Sequence, residues 1–190
     1  MTRRQMQIIT SSLLSVLLLP CSLTAEESKS KTPQVGDFIP SYASTKCGGV
    51  DDGVPAGKTV CYTCRAGSEP IFYVFTRKQD DSVVRLLKQI DALVVAGKDR
   101  KTAAVVNFLG DPDDEAARQQ VADFGAKHAL TNVALTVTAD GSKFGLNELD
   151  HATVILFEDG IIRMRTAAAS GTLNEASIGK IVQQAKAVLK

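Results

Sequence analysis

The sequence contains no apolar run of the ~20 residues that a helix needs to cross a bilayer. Its most apolar stretch, residues 8–19, is shorter than that and follows two basic residues. A basic start, a short apolar region and a small residue such as Ala25 are typical of a secretory signal peptide, here residues 1–25. We therefore expect a secreted or periplasmic mature protein that begins near Glu26 and has no membrane span. A lipoprotein modified at Cys21 is the alternative.

The sequence also lacks an excess of either charge. Removal of residues 1–25 takes away two basic residues, which leaves 20 Lys and Arg against 21 Asp and Glu, a net charge of −1. This balance predicts neither a nucleic-acid-binding surface nor a polybasic patch for anionic lipid. Gly-rich phosphate loops, Ser/His/Asp arrangements and paired carboxylates do not stand out, so we predict no hydrolase or kinase activity and no cofactor.

Two regions near the start of the mature chain are poor in apolar residues. Residues 26–33 are rich in Glu, Ser and Lys, and we expect a disordered leader there. Residues 44–58 combine several glycines with Thr, Asp and Lys, which predicts a surface loop around Cys47. Residues 34–190 are enough for a single domain with a substantial core, and we expect a monomer.

From residue 71 onward, apolar residues follow regular periods. Residues 71–75 form an apolar, β-prone run that is typical of a strand buried on both faces. A helix is predicted next, capped by Asp80 or Asp81 and ended by Gly97, because apolar residues recur there at helical spacing. Further strands are predicted at residues 103–109, 133–137, 152–157 and 161–166, with one helix between the first two of these and another at the end of the chain.

Local signals mark the ends of the later elements. Asp111 is expected to cap the second helix, with Pro112 at its first position. Asp159 and Gly160 form a dipeptide that favours a tight hairpin turn. Strands and helices alternate first and an antiparallel hairpin follows. The predicted fold is therefore α/β, with a mixed central sheet that helices cover on both faces.

Three segments resemble thioredoxin-like proteins. Residues 144–146, Phe-Gly-Leu, precede residues 151–160, His-Ala-Thr-Val-Ile-Leu-Phe-Glu-Asp-Gly. In that superfamily a similar segment precedes a cis-proline, a threonine, an apolar strand and an Asp-Gly turn. Residues 35–40, Val-Gly-Asp-Phe-Ile-Pro, are similar to the opening of the redoxin branch, which includes peroxiredoxins and alkyl hydroperoxide reductases, and residues 101–138 look like the insertion of that branch. The resemblance spans about residues 34–189 and implies a three-layer thioredoxin-like fold.

Two positions depart from that pattern where the family has its redox site. In the family a dithiol follows the first central strand and opens a helix, but residues 76–82 contain no cysteine and no complete peroxidase motif. The cis-proline is replaced by Ala152, and we expect a trans bond there because a cis bond is rarely stable without proline. Ordinary thioredoxin or peroxidase activity is therefore not expected.

Three cysteines remain after the predicted cleavage: Cys47, Cys61 and Cys64. The Cys-Tyr-Thr-Cys spacing of Cys61 and Cys64 suits a disulfide, and Arg65 beside the pair would favour a thiolate. In an oxidising compartment we expect one disulfide and one thiol, because the number is odd. Cys47 is the candidate resolving thiol, since a mobile loop would let it attack the bond between the other two.

Three interpretations of these cysteines remain open. In the first, Cys61 and Cys64 are a displaced redox pair that exchanges disulfides with a protein thiol partner. In the second, a structural disulfide, either within the pair or from Cys47 to one of the two, lies in a non-catalytic scaffold or binding module. In the third, the three cysteines and His151 hold a zinc ion. We predict an exported thiol–disulfide redox protein, with the scaffold and the metal site as alternatives.

Overall fold

The computed structural model describes residues 32–139 and 141–190 of the chain. The expected signal peptide and most of the expected leader lie outside these residues. The strands are β1 (Ser44–Gly49), β2 (Thr59–Val60), β3 (Ile71–Thr76), β4 (Ala103–Leu109), β5 (Ala134–Thr138), β6 (Asp150–Glu158) and β7 (Ile161–Ala169). The helices are α1 (Tyr62–Arg65), α2 (Asp81–Ala96), α3 (Glu115–Lys127) and α4 (Glu175–Val188). In the part of the chain that the structure describes, none of these helices is long and apolar enough to cross a bilayer.

The strands of the described residues form one sheet in the order β2-β1-β5-β4-β3-β6-β7. β3 runs parallel to β4 and antiparallel to β6, and β4 runs parallel to β5. The two parallel connections pass through α2 and α3, whereas β6 and β7 form an antiparallel hairpin. The sheet is therefore mixed, as the order of the predicted elements indicated.

Strand β3 lies inside the sheet, between β4 and β6, and every one of its residues is buried. Successive side chains of a strand point to opposite faces of the sheet. Phe72 and Val74 accordingly belong to one hydrophobic core, and Tyr73 and Phe75 to a second core on the other face. The prediction of a strand buried on both faces is confirmed.

The two cores are covered in different ways. Helices α2, α3 and α4 pack on the first core. The second core is covered by α1, by the segment before β1 and by a 3-10 turn at Ser142–Phe144. Its centre is a group of aromatic rings in edge-on and tilted contact, contributed by Tyr42, Tyr73, Phe75, Phe144 and Phe157. Helices thus lie on both faces, with the long ones on one face and the single-turn helix α1 on the other.

Acidic residues cap two of the long helices. Asp80 caps α2 by accepting hydrogen bonds from the backbone amides two and three residues later, and Gly97 ends the helix, as predicted. The prediction for α3 is wrong by three residues, because Asp114 caps it in the same manner. The side chain of Asp111 instead accepts from the amide of Asp113 and closes the preceding turn.

The β6–β7 hairpin turns at Asp159 and Gly160, as the sequence predicts. Both residues have positive φ, 54° and 71°, which is the requirement of a type I′ turn. This turn keeps the right-handed twist of the two strands, so the longest pairing of the sheet follows directly from a local sequence signal.

The predicted surface loop at residues 44–58 is wrong in its first part. Residues Ser44–Gly49 form β1, which pairs antiparallel with β5 and β2. Cys47 is buried in the first core rather than held in a mobile loop. Gly49 has a φ of 84°, and a Cβ there would lie 2.0 Å from the carbonyl oxygen of Val133. Glycine is needed here for close packing of β1 against its neighbour, and composition alone does not reveal that.

Candidate redox site at Cys61 and Cys64

Cys61 and Cys64 form a disulfide across the single turn of α1. Their Cα atoms are 5.3 Å apart, a normal separation for a disulfide. Cys61 is the N-cap of α1 in extended backbone, and its Sγ accepts a hydrogen bond from the Cys64 amide at 3.1 Å. The expected disulfide is therefore present, with a backbone N–H directed at one of its two sulfurs.

The two cysteines differ in their access to solvent. Cys64 is exposed, whereas Cys61 is half-buried at the base of the turn. Disulfide exchange begins with a thiolate that must reach one of the sulfurs. An incoming partner therefore finds the Cys64 Sγ accessible, while the amide contact lies on the other sulfur.

Asp52 holds the turn from one side. Its Oδ2 accepts from the Tyr62 hydroxyl at 2.9 Å, and its backbone carbonyl accepts from the Arg65 guanidinium at 2.9 Å. Its Oδ1 pairs with the ammonium of Lys46, a side chain that is only 4 % exposed. Burial opposes ionisation of Asp52, but hydrogen bonds from Lys46, the Val54 amide and Tyr62 outweigh it and lower the pKa of the carboxyl. A charged group thus anchors α1 at neutral pH.

Thr63 holds the turn from the opposite side. Its hydroxyl lies 2.7 Å from the Tyr73 hydroxyl and donates at 3.4 Å to the carbonyl of Pro40. Tyr73 is fully buried in β3, and burial raises the pKa of its phenol well above the ordinary value. A neutral hydroxyl therefore ties α1 to the middle of β3, on the face of the second core.

Cys47 is the free cysteine of the described residues. Its side chain packs in the first core, on the face of the sheet opposite to the core that Tyr62 of α1 joins. Its Sγ contacts the carbonyl of Thr45 at 3.5 Å, and burial raises its pKa to about 11, against a smaller effect of Arg118. Cys47 thus lies in a buried strand and not in the surface loop from which the relay with Cys61 and Cys64 was expected to start.

The position that the family uses for its dithiol, the start of the helix after the first central strand, is held by Asp80. Burial raises the pKa of this carboxyl, but hydrogen bonds from Ser82 and Val83 and the charge of His151 outweigh it and lower the pKa. The described residues contain no cis peptide bond, so Ala152 follows a trans bond, as expected. Both features of the family's redox site are thus replaced here.

His151 belongs to this replaced site and not to the cysteines. Its Nε2 lies 2.8 Å from Asp80 Oδ2 and 3.2 Å from Ser82 Oγ, and its side chain is 11 % exposed. The interpretation of His151 as a metal ligand beside the cysteines is not supported, because its Nε2 contacts Asp80 and Ser82 instead. Because the same ring nitrogen faces the acid and the hydroxyl, the three residues are not arranged as an acid–base relay, which needs these groups on opposite nitrogens.

The zinc alternative is not supported. The described residues contain no group of three or more His, Cys, Asp or Glu side chains that could hold a metal ion. The physical reason is the sheet itself, which separates Cys47 from the disulfide, while His151 is bound to Asp80 at the carboxyl end of β3.

Sequence reasoning found the two cysteines and Arg65 but missed the residues that hold them. Asp52 and Lys46 lie in a segment that was read as a loop, and their contact spans six residues. An Asp in a Gly-rich segment is an ordinary turn residue, so no local signal distinguishes Asp52 from its neighbour Asp51.

Comparison with known proteins shows the fold. No family model and no curated protein matches the sequence. Among solved structures, AhpC from Mycobacterium tuberculosis is 12 % identical, with a TM-score of 0.62, and the match covers 84 % of this chain and 100 % of that one. A PrxQ variant from Xylella fastidiosa is 9 % identical, with a TM-score of 0.62, over 84 % of this chain and 99 % of that one.

A third structure comes from a different group of redox proteins. It is a Chlorobium tepidum protein described as a thiol:disulfide interchange protein, DsbE, which is 13 % identical with a TM-score of 0.60. The match covers 83 % of this chain and 99 % of that one. At these identities the likeness is one of fold, and the fold is that of the thioredoxin-like proteins of the redoxin branch.

Proposed function

We propose that this chain, which has the thioredoxin-like fold of the redoxin branch, is an exported thiol–disulfide exchange protein whose reacting pair is Cys61 and Cys64. The observation that carries the proposal is the disulfide in α1, with one exposed sulfur and one sulfur that accepts a backbone hydrogen bond. The partner is a protein that supplies thiols. The signal peptide predicted at residues 1–25 supports a site of reaction in an oxidising compartment.

The exposed sulfur defines the direction of the reaction. A partner thiolate attacks Cys64 Sγ, a new disulfide forms between the partner and Cys64, and the Cys61–Cys64 bond breaks. Cys61 leaves as a thiolate with the electron pair of that bond. A second thiol of the partner then loses its proton and attacks the mixed disulfide, which releases Cys64 as a thiolate. The partner dithiol is oxidised to a disulfide and the protein is reduced to a dithiol.

The surroundings of Cys61 suit a leaving thiolate. The amide of Cys64 donates to its Sγ at 3.1 Å, and a hydrogen bond to the charged form lowers the pKa of an acid. A lower pKa makes a thiol a better leaving group in exchange. Arg65 adds a positive charge beside the pair. Cys61 is thus assigned as the resolving cysteine, and Cys64 as the one that bonds to the partner.

The test follows mixed disulfides by mass spectrometry. Reduced wild type, Cys61→Ser, Cys64→Ser and the double serine variant are each mixed with hydroxyethyl disulfide, a small neutral disulfide. We expect Cys61→Ser to accumulate a stable adduct at Cys64, and Cys64→Ser to react about tenfold more slowly because its sulfur is less accessible. The wild type resolves to its internal disulfide.

Two results would overturn the proposal. Wild type that consumes the disulfide no faster than the double serine variant would show that the pair does not exchange. Faster adduct formation in Cys64→Ser than in Cys61→Ser would reverse the assigned roles.

A non-catalytic scaffold is the second candidate, and one observation favours it. Asp80 occupies the helix start at which the family carries its dithiol, and the polar contacts of Asp52 and Thr63 would equally hold a structural disulfide. A structural disulfide and a reactive one differ in their ease of reduction, so the reduction potential separates the two candidates.

A further inference from the structure

A groove of about 480 Å³ lies beside α1, which is a volume in the range of binding sites for small ligands and short peptides. Tyr62 and Arg65 of α1 contribute to its lining, as do Ala66, which directly follows α1, and Val94 and Val95 at the end of α2. The groove follows the amino ends of β3 and β4. It is therefore remote from the Asp80 site at the carboxyl end of β3.

The interior of the groove is apolar. Ile71, Ala103 and Ala134 lie at the sheet, and Val50 and Val95 also line the groove. Val95 is 54 % exposed, which is unusual for a large aliphatic residue of this chain. Covering such surface with apolar side chains of a partner is favourable.

The charge of the groove is positive. Arg65, Lys98 and Lys101 line it. Its two carboxylates are already paired, Glu69 with Lys101 at 3.2 Å and Asp52 with a buried lysine. Among the ion pairs of the described residues none includes Arg65 or Lys98. Two cations are thus left uncompensated beside an apolar floor, and an acidic partner complements them.

We propose that this groove binds a cysteine-containing peptide segment with apolar and acidic residues next to the cysteine, and that it presents that cysteine to Cys64. Tyr62 and Arg65 line the groove, and Cys64 belongs to the same helical turn. An extended segment advances about 3.3 Å per residue, and a few residues therefore span the sulfur and the groove. The proposal rests on the exchange function and names its substrate class.

The test compares two peptides that differ in charge. Each has one cysteine flanked by the same apolar residues and by two Glu or two Lys residues, and a serine version of each measures binding without reaction. We measure binding to the oxidised full protein by calorimetry and thiol oxidation by mass spectrometry. The acidic peptide is expected to bind more tightly and to react faster than the basic one.

Variants of the lining residues test whether the groove causes the preference for the acidic peptide. Lys98→Glu should reduce the ratio of acidic to basic peptide rates by about threefold to tenfold, because it reverses one uncompensated charge. Lys180→Glu makes the same change on the exposed surface of α4, outside the lining of the groove, and should leave the ratio as it is in wild type. Val95→Ser should weaken the binding of both serine peptides, and the acidic peptide should still bind more tightly than the basic one.

The outcomes distinguish the groove from the exchange function. The groove proposal would be overturned if the two peptides bound equally and reacted at equal rates. It would also be overturned if Lys98→Glu and Lys180→Glu changed the ratio of acidic to basic peptide rates equally. If wild type binds the acidic serine peptide but oxidises neither cysteine peptide nor reacts with hydroxyethyl disulfide, the exchange function fails, and with it the substrate role proposed for the groove.

Discussion

Two helices flank strand β3 in the sequence, and their first turns are capped by different chemical groups. At α1 the sulfur of Cys61 accepts the hydrogen bond of the Cys64 amide. At α2 the carboxylate of Asp80 accepts those of the Ser82 and Val83 amides. Both caps satisfy amides that a helix start leaves without partners. They differ in that a sulfur can be released from a disulfide as a thiolate, whereas a carboxylate carries no bond to exchange.

The two caps also differ in their position relative to β3. Helix α2, which follows β3, is capped by the carboxylate of Asp80, and this carboxylate is paired with His151. The sulfur pair lies before the strand, in a turn of four residues held by Asp52 and Thr63. In our account stability depends on the Asp80 cap of α2 and exchange on the Cys61 cap of α1. Variants can separate these two effects.

The largest expected effect on folding comes from Asp80→Ala. Loss of a cap costs about 0.5 to 2 kcal/mol, and here His151, which is largely buried, also loses its acidic partner. We expect a loss near the upper end of that range, measured as the free energy of unfolding in urea. Asp114→Ala removes the matched cap of α3, which has no histidine partner, and should cost about 1 kcal/mol.

The exchange rate with hydroxyethyl disulfide should be the same in both cap variants as in wild type. A slower rate in Asp80→Ala, but not in Asp114→Ala, would show that the Asp80 site takes part in exchange and would end the separation.

The effect of Asp80→Ala on stability has a defined pH dependence. The pKa of Asp80 is lower in the folded protein than its ordinary value of about 3.9. The charged cap therefore stabilises the fold fully above that value, and this stabilisation is lost as the pH falls through the folded pKa. The difference in unfolding free energy between wild type and Asp80→Ala should shrink below about pH 4. A difference that is constant down to acidic pH would contradict the role of the carboxylate charge.

The parts of the fold that depend on short local sequence patterns could be predicted. The buried run of β3, the Asp80 cap and the turn at Asp159 and Gly160 are set by local chemistry, and the structure confirms them. Strand β1 was missed because its glycines, which allow close packing against β5, resemble loop glycines in composition.

The candidate site could be predicted only in part for a related reason. The spacing of Cys61 and Cys64 is a local signal, and it led to the disulfide directly. The contacts of Asp52 with Tyr62 and of Thr63 with Tyr73 each span ten residues. They depend on how the chain returns to the sheet, which no short pattern records.

The smallest expected effect is that of Cys47→Ser on exchange. Cys47 lies in a buried strand on the opposite face from α1, so we expect wild-type reaction rates with small disulfides and an unchanged reduction potential for the pair. Thiol counting with peptide mapping should find one free thiol in the oxidised mature wild type and none in the variant. A shift in the reduction potential of the pair or in its exchange rate would instead support the three-cysteine relay.

The reduction potential of the Cys61–Cys64 pair tests the central claim most directly. Oxidised protein is equilibrated with glutathione or dithiothreitol buffers, and the dithiol fraction is read by alkylation and mass spectrometry, with Cys47→Ser as the background to remove the third thiol. A pair that exchanges with partners should have a potential well above about −300 mV. A value below about −300 mV is that of a structural disulfide, and it would contradict the assignment of exchange to this turn.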